Sequence, residues 1–205
     1  MTPEWSTACP DWERRILAGE SLIPFKPLFK KESDEALETF NMLRVVDAPG
    51  SPTMAEACRP WIIDFVSAVF GAYDRPAGRQ LIREFLLLVS KKNAKSTLAA
   101  GVMLTALIKN WRNSAEFLIL APTIEVANNS FIPARDMIRV SDQLKSFLKV
   151  QEHLRCITNT RNGGTLRVVA ADNETVGGKK ATGILVDELW LLGCPSSGFS
   201  GQRAW

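Results

Sequence analysis

The chain has 205 residues, 46% of them hydrophobic and 23% charged, and a formal net charge of +3. That is enough chain for one α/β domain with a real core and too little for two large ones, and no apolar run is long enough to span a bilayer. Four cysteines without a CxxC pair and one histidine, His153, leave no ligand set for structural zinc and no disulfide framework, which fits a reducing, cytoplasmic setting.

Residues 1–57 read as an irregular lead-in. The opening MTPEWSTACPDWERR lacks the basic start and apolar core of a secretory signal. Pro24, Pro27, Pro49 and Pro52 interrupt any periodicity, and the stretch 48–52 reads as a loop. Ser33-Asp34-Glu35 ahead of Ala36-Leu37 predicts a short capped helix over about 34–43.

From residue 58 to 193 the pattern becomes regular. Trp61 to Tyr73 has helical spacing, with Trp61, Phe65 and Val69 beside Ile62, Val66 and Phe70. Phe85–Val89 is a continuous apolar run and reads as a buried parallel strand. Lys95–Lys109 reads as a helix with Leu98, Val102 and Ala106 on one stripe and Asn110 as its stop. Phe117–Ala121 reads as a second buried strand, ended by Pro122. Thr123 can cap a helix to about Asn129, and Pro133 divides it from a further helix over about 134–149. Arg155–Asn159 and Thr165–Ala170 flank Asn162-Gly163, a strong hairpin signal. Gly183–Asp187 reads as one more buried strand. Residues 194–205 have no periodicity and are rich in Ser and Gly. They read as a flexible or aberrant tail, with a truncated reading frame as the expectation. Alternating strands and helices with a hairpin describe an open, mostly parallel sheet with helices on both faces, incomplete at the C-terminus.

The informative stretch is Leu88-Val-Ser-Lys-Lys-Asn-Ala-Lys-Ser-Thr97, between a predicted strand and a predicted helix. In a P-loop, backbone N–H groups at the helix N-terminus surround the phosphates, a lysine reaches the β and γ groups, and the next hydroxyl coordinates Mg²⁺. Lys95 takes the place of that lysine and Ser96 of that hydroxyl, while Thr97 can reach the α-phosphate. Lys91, Lys92, Asn93 and Ala94 form the rest of the loop. The general pattern has glycine where this chain has Val89 and Ala94, and an alanine held left-handed there costs roughly 1–2 kcal/mol.

The second motif is Ile184-Leu-Val-Asp-Glu188, apolar residues followed by two acids. A buried strand ending this way delivers carboxylates to the edge where open α/β sheets bind ligands. Asp187 is placed to hold Mg²⁺ through water, and Glu188 to orient or deprotonate an attacking water. The two motifs lie in the right order, about 90 residues apart. Together they point to ATP and Mg²⁺ as cofactors of a P-loop NTPase.

These residues resemble the large terminase subunits of tailed bacteriophages. That family has a variant phosphate loop, and Lys91-Lys92-Asn93-Ala94-Lys95-Ser96 is similar to it, with Ala94 as the departure. Ala121-Pro122-Thr123 and Val186-Asp187-Glu188-Leu189-Trp190 also match the family's pattern. The resemblance covers about residues 55–193. It implies an ATPase that drives double-stranded DNA into a procapsid in the bacterial host cytoplasm. It further implies a homo-oligomeric ring working with a small terminase subunit and a portal protein. In relatives a Pro-Trp-Gln helix contacts adenine. Pro60-Trp61 fits that role, with Ile62 in place of Gln. Some relatives carry a trans-acting arginine just before the acidic strand, where this chain has Gly177 and Gly178, with Lys179 or Lys180 as substitutes. The alternatives are a helicase-like P-loop ATPase and a degenerate, non-catalytic prophage remnant. Residues 1–80 carry 9 Lys/Arg against 12 Asp/Glu, and residues 81–205 carry 16 against 10. The basic second part suits a polyanionic partner, with Arg135, Arg139, Arg155 and Arg167 as candidate DNA contacts.

Overall fold

The computed structural model describes residues 4–90, 92–170 and 181–189. In chain order its helices are α1 (Trp12–Ala18), α2 (Lys30–Met42), α3 (Met54–Ala57), α4 (Pro60–Phe70), α5 (Lys95–Lys109), α6 (Ile124–Arg139) and α7 (Asp142–Lys145). The strands are β1 (Tyr73–Asp74), β2 (Arg79–Gln80), β3 (Glu116–Ala121), β4 (Leu148–Gln151), β5 (Cys156–Asn159), β6 (Thr165–Ala170) and β7 (Gly183–Val186). None of the described helices is long and apolar enough to cross a membrane.

β1 and β2 form a small antiparallel ribbon, and the other five strands form one sheet in the order β4-β5-β6-β3-β7. β3 runs parallel to β6 and to β7, while β5 is antiparallel to both β4 and β6. Four of the five strands therefore point the same way, as the sequence pattern implies. The hairpin between β5 and β6 turns at Asn162-Gly163. Gly163 has φ +69°, a backbone angle that favours glycine, and the Asn162 side chain accepts from the Gly164 N–H at 2.9 Å.

The alternation along β3 sorts its two faces. Phe117, Ile119 and Ala121 point into the main core with residues of α2, α4, α5 and α6. Leu118 and Leu120 point the other way and pack with Val169 and Ala181. Residues 1–57 are more regular than their prolines suggest. α2 runs from Lys30, and its Phe40 is fully buried, with Leu43 and Met54 close by in the same core. Gly101 of α5 makes that fit possible, since a Cβ there would come within 2.9 Å of the Phe40 ring. Lys109 at the end of α5 donates to Glu35 of α2 at 2.8 Å, and that ammonium holds the Glu35 carboxyl below its ordinary range.

Three expected elements come out differently. Phe85–Val89 belongs to no described strand. Phe85 packs edge-on against Phe65 of α4, and Leu87 packs against the main core. Leu86 and Leu88, by contrast, are 76% and 88% exposed. The run is thus anchored by alternate side chains to a helix rather than by a ladder to the sheet. Pro133 does not divide α6, which passes through it. The ring removes one N–H donor, but buried Phe131, Ala134, Met137 and Ile138 on both sides of it hold the helix together. Nor does a helix continue to 149. Ser141 caps the single turn α7, and Leu148–Gln151 instead pairs with β5, with Lys149 opposite Thr158.

Candidate functional site

The site is built on the C-terminal edge of β3 and β7. Their parallel register sets Leu120 level with Val186, so Ala121 and Asp187 leave the sheet side by side. The Asp187 N–H donates to the Leu120 carbonyl at 2.8 Å, which fixes the acid's backbone just beyond the strand. Next to it, Thr123 caps α6 by accepting from the Val126 N–H at 3.2 Å. The predicted match at Ala121-Pro122-Thr123 thus falls on the turn from β3 into α6.

α5 brings the phosphate-loop residues to the same place. It begins at Lys95, as its periodicity predicts, and packs against β7. Its N-cap is Ala94, which has no side chain able to cap, and its first turn carries no acid. The positive end of this 15-residue helix and the N–H groups of its first turn are therefore left for an anion. Asn93 braces the loop by donating to the Ser90 carbonyl at 3.2 Å and to its Oγ at 2.7 Å. Lys92 and Asn93 are exposed, and Lys95, Ser96 and Thr97 are half-buried in the first turn.

Lys95 and Glu188 meet directly. The Lys95 Nζ donates to Oε1 of Glu188, with the two side chains 31% and 18% exposed. Asp187 is 8% exposed and accepts at Oδ2 from the Ser130 hydroxyl at 2.9 Å. The Lys95 ammonium and the Glu188 carboxylate therefore meet at one edge of the sheet, with Asp187 the next residue along and Ser96 and Thr97 following Lys95 in α5.

Ser96 and Asp187 offer hard oxygen donors, the type that Mg²⁺ prefers. Among the described residues no group of three His, Cys, Asp or Glu side chains could enclose a metal alone. The donor set instead suits an ion that completes its shell with phosphate oxygens and water, as Mg²⁺ does at nucleotide sites.

The backbone around this edge is strained. Six described non-glycine residues have positive φ, and three of them, Lys92, Ala94 and Glu188, are here. Ala94 sits at φ 51°, ψ 28°, so the alanine in the glycine position does carry the left-handed cost. Val89, the other departure from the glycine pattern, is not among the positive-φ residues. Ala94→Gly is expected to raise the free energy of unfolding by about 0.5–1 kcal/mol, because relief of the left-handed pose outweighs the added freedom of the unfolded chain. A urea titration checks this through a higher midpoint at unchanged slope. An unchanged or lower midpoint would show that Ala94 is not strained.

The remaining predicted residues lie on other elements or outside the described residues. Trp61 lies in the first turn of α4, half-buried, one turn before the Phe65 that packs on Phe85. Lys91, Lys179, Lys180, Trp190 and the tail 194–205 lie outside the described residues. Arg135 and Arg139 are engaged with Asp136 and Glu152, and the Arg155 Nε donates to Asn128 at 3.2 Å. Arg167 is exposed on β6.

Ser130 is the site residue the sequence reading missed. Dividing the helix near Asn129 left it in a gap, whereas α6 puts it on the buried stripe with Ala127, Phe131 and Ala134. A hydroxyl on an otherwise apolar helical stripe is the signal that could have found it, because a buried polar group needs a partner.

The family model described as terminase large subunit, ATPase domain, matches residues 60–192. Among solved structures, the crystal structure of the HK97 bacteriophage large terminase aligns with a TM-score of 0.62 at 21% identity. That alignment covers 76% of this chain and 31% of the phage protein, so this chain spans less than a third of that protein's length. At such an identity the likeness speaks for the fold. No curated protein matches the chain.

Proposed function

The chain belongs to the family of terminase large subunit ATPase domains, and from that premise we propose that it binds ATP with Mg²⁺ at the α5–β7 edge and hydrolyses it. Lys95 takes the β- and γ-phosphates, and the first-turn N–H groups of α5 surround them. Lys91, Lys92, Asn93 and Ala94 form the loop wall, and Thr97 reaches the α-phosphate. Ser96 and Asp187 hold Mg²⁺, which when bound neutralises charge on the phosphate oxygens. Glu188 orients the attacking water and accepts its proton. Trp61 serves as the adenine platform, because the stripe it shares with Phe65 faces the segment leading into the loop.

The observation that carries this reading is the Lys95–Glu188 ion pair, with Asp187 the next residue along. It joins the two motifs across 93 positions of sequence at the sheet edge where nucleotides bind. In the full protein this step serves a ring-shaped motor that moves double-stranded DNA into a procapsid in the host cytoplasm, together with a small terminase subunit and a portal protein. The test is a titration with ATPγS, with and without Mg²⁺, followed by tryptophan fluorescence and thermal shift. Saturable, Mg²⁺-strengthened binding is expected. Absence of both a fluorescence change and a shift in melting temperature would overturn the assignment.

A further inference from the structure

We propose that Ser130 is a positioning residue for metal binding: its hydroxyl locks the Asp187 carboxylate in one orientation and leaves Oδ1 to face the Mg²⁺–nucleotide. This rests on the nucleotide reading above. The bond from Ser130 Oγ to Asp187 Oδ2 is 2.9 Å and buried, with Ser130 at 0% and Asp187 at 8% exposure. The serine hydroxyl donates and the carboxylate oxygen accepts.

Two separate elements therefore fix Asp187. The Leu120 carbonyl of β3 takes its N–H, and α6 takes one of its oxygens. A helical serine ordinarily has a local alternative, the carbonyl one turn earlier. Ser130 instead reaches across 57 positions to the acid. Groups that hydrogen-bond a ligating carboxylate set its rotamer, and their loss commonly weakens metal affinity about 10–100-fold. Because Ser130 touches neither nucleotide phosphates nor the attacking water in this scheme, its effect is confined to the metal.

The experiment measures the Mg²⁺ concentration that half-saturates the fluorescence change with a fixed amount of ATPγS, beside ATPγS affinity in EDTA. Ser130→Ala is expected to raise the Mg²⁺ midpoint about tenfold or more while metal-free affinity stays within twofold. Ser130→Thr, which keeps the hydroxyl, is expected to retain the wild-type midpoint. In an Asp187→Asn background, Ser130→Ala is expected to add nothing further. A Ser130→Ala protein that melts cooperatively with an unchanged Mg²⁺ midpoint would overturn the proposal. So would equal losses with and without Mg²⁺, which mark a purely structural role. If Ser130→Ala does not fold, Ser130→Cys decides: an unchanged midpoint for this weak donor also overturns the proposal. Loss of Mg²⁺-dependent binding in the wild-type protein, by contrast, overturns the nucleotide reading itself.

Discussion

Lys95→Ala is expected to lose saturable binding of ATPγS, with affinity reduced at least about 100-fold. Charge-assisted hydrogen bonds are worth about 1.5–3 kcal/mol each, and every 1.4 kcal/mol is a factor of ten. An ammonium carries three donors, so Lys95 can make more than one such contact to a bound phosphate. The same change removes the cation that Glu188 holds in the free protein. Circular dichroism and thermal melting establish that the fold survives, and fluorescence titration then reads the affinity. Lys95→Arg sharpens the test. Its planar fork keeps the charge but not the compact reach of an ammonium, so it is expected to restore only part of the binding. Affinity within threefold of wild type in Lys95→Ala would remove Lys95 from the site.

Glu188→Gln separates binding from chemistry, and its two effects have opposite signs. General-base function is typically worth 10²–10⁴-fold in rate, so hydrolysis is expected to fall by about 100-fold or more. Nucleotide binding is expected to tighten by a few fold. In the free protein the Lys95 ammonium is taken by the Glu188 carboxylate, and an incoming phosphate must displace that partner. The neutral amide competes more weakly for the lysine and does not repel the phosphate. Steady-state phosphate release and ATPγS titration on the same preparation measure both quantities. Weaker binding in Glu188→Gln would show that the ion pair does not oppose the nucleotide, and an unchanged rate would remove Glu188 as the base.

Much of the fold was written in short-range pattern. α5 begins and ends at the residues its periodicity marks, Lys95 and Lys109. β3, the β5–β6 hairpin and β7 follow from apolar runs bounded by Pro122, Asn162-Gly163 and Asp187. The misreadings share a cause: long-range packing overrode a local rule. Pro133 is an ordinary helix breaker, yet buried neighbours on both sides hold α6 together around it. Leu148–Gln151 is too short for its alternation to stand out after a helix, and only pairing with β5 makes it a strand. Phe85–Val89 has the composition of a buried strand, but composition does not reveal which neighbour its side chains find.

The site divides the same way. Lys95 and Glu188, which the structure pairs, and Asp187 beside them stand at fixed offsets from predicted helix and strand ends, so local pattern reaches those positions. Ser130 is not legible this way, since its partner lies 57 positions away and Pro133 is a local signal for a break in its helix.

The outer margin of the sheet carries a practical consequence. β7 ends the order of the described strands, and Ile184 and Val186 are 50% and 38% exposed. Among the described residues no strand continues the ladder beyond β7, and the apolar Leu86 and Leu88 are also open to solvent. An edge strand is where a stranger's backbone adds, so light scattering recorded beside each titration distinguishes nucleotide-driven signals from the slow gathering of molecules edge to edge.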